Sequence, residues 1–299
     1  MASWKGKTRG GIAGHKIFYS ILKYTGLPFA YFILRFVAFY FFLFLPKVFK
    51  PIYQFYRKRF AFGFFHSLQM VYKNYYVFGQ VLLDKTMVMA GFPAKFSFTY
   101  DGEETLRKMV EEGTGGLLIS AHIGNFEMAG NMLERLKTDV NIIMFEAEHA
   151  HIKNYLDSVT HRKFNVIAIK EDNSHVYEIT KAFREKQLLC IHGDRFVKGS
   201  KTMAVEFLGE KANFPTGPFY LAMKFNVPVS FVFAMKDSAS HYHFFATPPR
   251  FYQQQGLQQK RDQTIQSIIK DYIYVLERII RKYPSQWFNY YNFWEADEQ

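Results

Sequence analysis

The first third of the chain is apolar with helical spacing. PFAYFILRFVAFYFFLFLP, residues 28 to 46, is apolar between its two prolines except for Arg35. Crossing a bilayer takes roughly 20 apolar residues. The run therefore suits a segment that dips into one leaflet and returns, a single tilted span, or a buried core helix. From 52 to 90, Phe55, Phe62, Phe65, Leu68, Met70, Tyr72, Tyr76 and Val77 recur at helix-like intervals. Gly91-Phe92-Pro93 breaks that pattern.

The period then changes. AKFSFTY (94 to 100) alternates like a strand, and DGEETLRKMVEEG (101 to 113) reads as a polar helix closed by Gly113. GGLLIS (115 to 120) is a short, continuously apolar run, as expected of a buried parallel strand. NFEMAGNMLERL (125 to 136) reads as a helix and VNIIMFEA (140 to 147) as a strand, with a helix near 149 to 160. Strand FNVIAIK (164 to 170), helix SHVYEITKAFREK (174 to 186) and strand QLLCIHGD (187 to 194) follow. Residues 207 to 235 hold a turn, a loop, a helix opening at Thr216-Gly217-Pro218 and a strand from 227. A strand at 242 to 249 and a long amphipathic helix at 263 to 284 complete the series. Alternating strands and helices predict an α/β fold: a central, mostly parallel sheet flanked by helices. An N-terminal helical membrane-anchor region precedes it. The expected boundary lies near Gly91, dividing residues 1–91, a membrane-associated helical region, from residues 92–299, the α/β body.

Composition sharpens this picture. Of 299 residues, 49% are hydrophobic, which excludes a disordered chain. Aromatics reach 19%, an excess that suits an interface both apolar and wet. The single cysteine, Cys190, allows no disulfide within the chain. The net charge of +12 attracts nucleic acid, anionic lipid or an acidic carrier protein. Lys5, Lys7, Arg9, Lys16 and Lys23 precede the apolar run; Lys47, Lys50, Arg57, Lys58 and Arg59 follow it. That placement favours anionic lipid over nucleic acid, which is not an expected partner.

The chemistry concentrates at SAHIGNFEMAG, residues 120 to 130. His122 stands just past a strand, where doubly wound sheets collect functional groups. Asn125 is a suitable cap for the next helix, and Glu127 falls in its first turn, where the macrodipole favours an anion. A carboxylate folded back onto one imidazole nitrogen fixes the tautomer and leaves the other as a base. The chain has no G-x-S-x-G elbow. A base without its own nucleophile activates a hydroxyl or amine brought by a substrate. The plainer reading is a satisfied histidine at a helix start.

The neighbouring segments bear on that choice. HIGNFEMAG, a strand ending in GDR, and VEFLGEKANFPTGPFYLAMKFNVPV occur in that order. Together they resemble the lipid A biosynthesis acyltransferases, the lauroyl and myristoyl transferases of the lysophospholipid acyltransferase superfamily. Phe207, Gly209, Ala212, Pro215, Gly217, Leu221, Ala222, Pro228 and Val229 match the third motif. The resemblance covers roughly residues 25 to 290. It implies transfer of a fatty acyl chain from an acyl carrier protein or acyl-CoA thioester to a lipid hydroxyl or amine. It places the reaction at the cytoplasmic face of a bacterial inner membrane, and no cofactor is expected. Carried over, His122 deprotonates the acceptor while Glu127 orients and charge-stabilises it. Gly124 and Asn125 N–H groups and Arg195 are candidate oxyanion donors, and Asp194 aligns the site. Thr216 and Gly217 open a helix whose N-terminus suits a phosphate. Asp194-Arg195 also reads as a turn held by a surface salt bridge, and Thr216 as a simple helix cap. Lys198, Lys201 and Lys211 form a solvated basic rim suited to an acidic carrier.

Two stretches depart from the family pattern. EAEHAHIKN, with Glu146, Glu148, His149 and His151, replaces arginine-rich sequence, and QWFNYYNFW (286 to 294) replaces a tryptophan followed by histidine and arginines. They put a bisphosphorylated acceptor in doubt and favour another envelope lipid, with the aromatic tail as an interfacial belt. One rival is a metal hydrolase built on His122, Glu127, His192 and Asp194, although no closely spaced ligand set supports a metal. The pairs His149/His151 and His241/His243 fit exposed loops or one strand face. The other rival is a basic, aromatic-rich protein that binds nucleic acid or membrane without catalysis.

Overall fold

The structure is a computed structural model. It describes residues 11–93, 95–126, 128, 136, 138–145, 165–170, 174–196, 199–252 and 258–294. Three helices come first: α1 (Gly11–Phe44), α2 (Pro46–Arg59) and α3 (Phe64–Met89). α1 is interrupted at Gly26, just before Pro28, so the apolar run forms its second half. That half has two faces at helical spacing. Ala30, Tyr31, Leu34 and Ala38 are buried, the first three in a cluster with Leu83 and Met87 of α3. Phe29, Phe32, Phe36, Phe39, Tyr40, Leu43 and Phe44 are exposed. The packing on α3 excludes a helix that is buried all round, one of the three readings of this run.

The α/β body follows: β1 (Ser97–Asp101), α4 (Glu103–Glu111), β2 (Gly116–Ser120), β3 (Val140–Phe145), β4 (Asn165–Ile169), α5 (Ser174–Arg184) and β5 (Leu188–His192). Next come β6 (Thr202–Phe207), β7 (Glu210–Pro215), α6 (Gly217–Phe225), β8 (Val229–Lys236), β9 (His241–Ala246) and α7 (Gln258–Lys282). Seven strands pair in the order β1-β9-β8-β2-β5-β3-β4, and every pairing is parallel except β8 with β9. The mostly parallel sheet flanked by helices is the expected fold.

β2 lies near the middle of the sheet, which explains its unbroken apolar sequence. Leu117 and Ile119 point into a cluster shared with Phe219 of α6 and Tyr272 of α7. Leu118 points the other way, among Leu106 and Met109 of α4. With helices on both faces, neither face needs polar residues.

Two sequence expectations change, and the His241/His243 pair lies on one strand face as expected. The stretch read as a turn and loop from 207 is one arm of a hairpin, β6 paired antiparallel with β7 through a two-residue turn at Leu208-Gly209. The aromatic tail does not form an interfacial belt as a whole. Trp287, Phe288 and Phe293 are buried in the core, because a 3₁₀ turn at Pro284–Gln286 folds the chain back onto the sheet. His241 and His243 share one face of β9 against β1. His241 meets the Ser97 and Thr99 hydroxyls and His243 meets Asp101. The helices expected near 125–136 and 149–160 fall largely outside the described residues.

Candidate active site

The parallel register of β2 and β5 builds the site. Ser120 is paired with His192. Two residues beyond each strand end, at matched offsets, stand His122 and Asp194. A separation of 72 residues in sequence thus becomes a side-chain contact: His122 Nδ1 lies 2.8 Å from Asp194 Oδ1. The other carboxylate oxygen, Oδ2, accepts the His122 backbone N–H at 2.9 Å. One carboxylate holds both ends of the histidine, so ring and main chain cannot turn independently.

The strand ends are closed from below. The Ser120 carbonyl accepts the Gly193 N–H at 2.8 Å and the Tyr272 hydroxyl at 2.9 Å. A Cβ at Gly193 would stand 2.9 Å from Ile119 Cγ2 and 3.1 Å from the Phe219 and Tyr272 rings. The turn after β5 is therefore restricted to glycine by packing.

Electrostatics set the protonation states. Burial raises the Asp194 carboxyl pKa, but the neighbouring His122, its hydrogen bond, Arg195 and His192 pull it further the other way. The net result lies below the usual carboxylate range. An ionised carboxylate only accepts hydrogen bonds. Nδ1 of neutral His122 therefore carries the proton, and Nε2 keeps the lone pair. His192 lies beside it, with ring centroids 4.3 Å apart, and the Phe126 ring stands edge-on to His192 at 4.6 Å. Burial, then His122, lowers the His192 pKa to about 3, with Asp194 opposing and Arg195 assisting. His192 is a neutral neighbour rather than a second cation.

Every backbone N–H from 122 to 125 has a protein acceptor. Ile123 donates to Ala121, Gly124 to Gln286 at 2.9 Å, and Asn125 to Ala234 at 2.7 Å. The expectation that Gly124 and Asn125 N–H groups serve as oxyanion donors does not hold, because both are already committed. Gly124 is needed for geometry: its φ is +62°, and a Cβ there would come within 2.1 Å of the Ala234 carbonyl. Asn125 is buried and does cap the following turn, accepting the Met128 N–H at 3.4 Å. Its side-chain amide donates to the Val81 carbonyl and the Tyr242 hydroxyl.

The tail supplies a wall that the sequence did not reveal. Trp287 bridges Ile123 antiparallel, and the Phe288 N–H donates to the His122 carbonyl at 3.0 Å. Arg195 Nη2 donates to the Phe288 carbonyl at 2.7 Å, a structural link rather than a surface salt bridge. Asn74 of α3 holds the Ser285 and Trp287 carbonyls. The available signal was the Ser285-Gln286 pair ahead of buried aromatics, but nothing local says where such a tail lands.

Thr216 and Gly217 are not brought to His122 by any hydrogen bond. The Thr216 N–H and hydroxyl both bond the Lys201 carbonyl, anchoring α6 to the hairpin, and Gly217 is exposed. Lys201 and Lys211 are exposed as a solvated rim would be. Glu127, Lys198, His149 and His151 lie outside the described residues. Among the described residues no group of three His, Cys, Asp or Glu side chains is arranged to hold a metal ion.

The fold brings a histidine and an ionised carboxylate together at the strand ends of an α/β sheet, an arrangement chemically able to move a proton. The chain matches the family described as bacterial lipid A biosynthesis acyltransferases over residues 17–295, and it belongs to that family. The match takes in most of α1, both strand-end turns and the tail, and the activity the family implies is acyl transfer. No individually curated protein matches the chain.

Proposed function

We propose that the enzyme moves a fatty acyl chain from a carrier-protein or CoA thioester to a hydroxyl or amine of an envelope lipid, with His122 as the general base. The hydrogen bond from His122 Nδ1 to buried Asp194 carries this reading. It leaves Nε2 to take the acceptor proton. The acceptor oxygen or nitrogen then attacks the thioester carbonyl. When the tetrahedral intermediate collapses, the thiol leaves with the proton returned from Nε2. The Asp194 charge favours the imidazolium formed between these steps. Asp194 thus takes the orienting part that sequence spacing assigned to Glu127. Glu127 remains in the proposal as a second carboxylate that stabilises the imidazolium. Gly217, exposed at the start of α6, stays the candidate contact for a phosphate of donor or acceptor.

The reaction is placed at the cytoplasmic surface of a bacterial inner membrane. α1 is, among the described residues, the one helix long and apolar enough to cross a membrane. Its packing on α3 suits a helix lying in the interface better than an isolated span. The outer aromatic stripe would enter lipid, while Lys47, Lys50, Arg57 and Lys58 of α2 face anionic headgroups. Residues 1–91 then act as the membrane-associated region and the rest as the acyltransferase body.

The test is lipid mass spectrometry of a bacterial host lacking the gene. Complementation with the wild-type gene should restore a lipid heavier by one acyl chain, and His122→Ala should not. Restoration by His122→Ala would refute the assignment.

A further inference from the structure

A second charged pair lies sealed at the end of β8, and the proposed chemistry does not use it. Lys236, the last residue of β8, forms an ion pair with Asp84 of α3, and both are buried. Asp84 also accepts hydrogen bonds from the Tyr31 hydroxyl of α1 and the Tyr242 hydroxyl of β9. The Lys236 ammonium donates to the Ala239 carbonyl at 2.9 Å and stands 4.8 Å from the Tyr242 ring centre. Stability alone gives little reason for such a pair. Well-packed apolar side chains often serve as well in its place, whereas removing a single partner is strongly destabilising.

Its connections give a better reason. The Tyr242 hydroxyl accepts the Asn125 side-chain amide at 3.2 Å. The same amide reaches the Val81 carbonyl, one helical turn from Asp84 on α3. The Lys236 backbone exchanges two hydrogen bonds with the Gln286 side chain, and the Gln286 carbonyl holds the Gly124 N–H. One route therefore runs from the ion pair through Tyr242 to residue 125, and a second from the Lys236 main chain through Gln286 to residue 124, each ending within three positions of His122. A third contact, Tyr31, runs to the helix with the exposed aromatic stripe.

We propose that Asp84 and Lys236 are positioning residues for acyl transfer. Through Tyr242–Asn125 and Gln286–Gly124 they hold the His122 loop in fixed relation to α1 and α3. The imidazole then stands at a set distance from the lipid-facing side of α1. This inference rests on the acyl-transfer reading of His122 and Asp194.

The test compares the double variant Asp84→Leu/Lys236→Met with Tyr242→Phe and with Asp84→Leu alone. Each is expressed in the gene-deleted host, and each is purified for thermal melting and amide hydrogen exchange. Asp84→Leu alone leaves a buried, unpaired ammonium and should melt well below wild type. The double variant removes both charges and should melt close to wild type. It should nevertheless yield roughly 10- to 100-fold less acylated lipid, the penalty of a small displacement of reacting groups. Its amides at 122–125 should exchange faster, reporting local release. A double variant that melts normally and makes wild-type amounts of product would overturn the proposal. So would lost product with unchanged exchange at 122–125. If the double variant does not fold, Tyr242→Phe carries the test, because it cuts the link to Asn125 and leaves the ion pair. It should show the same faster exchange with a smaller loss of product, and wild-type product with wild-type exchange would again overturn the idea. His122→Ala runs in parallel: product there would refute the acyl-transfer reading itself, a result distinct from failure of the positioning role.

Discussion

Two charged pairs with a buried carboxylate sit at strand ends among the described residues, and their surroundings separate them. In the His122–Asp194 pair the histidine side chain keeps 15% exposure and the carboxylate 2%. In the Lys236–Asp84 pair the corresponding values are 3% and 0%. The first couples an imidazole to a carboxylate held ionised, and leaves the imidazole within reach of the outside. The second has no opening, and the Asp84 carboxylate accepts from donors of three elements, Tyr31 of α1, Lys236 of β8 and Tyr242 of β9. A proton-transfer site needs a route for substrate, and a fastening needs its donors and acceptors matched. The same residue chemistry serves either end, depending on access.

The comparison can be broken most sharply at His122. His122→Ala should lower acyl transfer by two to four orders of magnitude, the typical worth of a positioned base, with the fold retained. Lipid mass spectrometry and circular dichroism together check this. Asp194→Asn keeps the shape but loses the charge that sets the tautomer. A loss of about a hundredfold or more is expected in turnover, again by product analysis. Gly124→Ala forces a side chain into the Ala234 carbonyl at a positive φ. A destabilisation of about 2–4 kcal/mol is expected in denaturant unfolding.

His192 offers a test by pH. Its folded pKa is lowered from 6.5 to about 3. Below pH 6.5 the unfolded chain takes up a proton that the folded chain refuses, so this residue's contribution falls as pH drops from about 6.5 toward 3. His192→Phe should flatten that part of the stability curve, measured by urea unfolding at a series of pH values. The smallest effect is expected at the membrane face. Replacing Phe36 and Tyr40 by serine should weaken binding to anionic vesicles by about tenfold without changing the melting temperature, because both side chains are exposed. Sedimentation with vesicles measures it.

Much of the body was legible because each element carries its own period. GGLLIS reads as a buried strand from its unbroken apolar run, and it is β2. The positions of His122 just past that strand and of Asp194 just past β5 are legible in the sequence, but their contact is not, because it depends on the β2–β5 register. Spacing along one segment pointed instead to Glu127. Hairpin β6–β7 hid because Glu210, Lys211 and Asn213 make β7 look like a loop. Once paired, Ala212 and Phe214 face the core while Lys211 and Asn213 face the other way. The tail was misread for a related reason. Trp287 and Phe293 have the composition of an interfacial belt, and only the long-range bonds of Asn74 and Gln286 show that they are folded inward.

The His122–Asp194 pairing is tested most directly by nitrogen-15 NMR of histidine-labelled protein at a pH where His122 is neutral. The expected spectrum shows His122 protonated at Nδ1, with both tautomers appearing in Asp194→Asn as activity is lost. Protonation at Nε2 in the wild type, or a spectrum unchanged by Asp194→Asn, would contradict it.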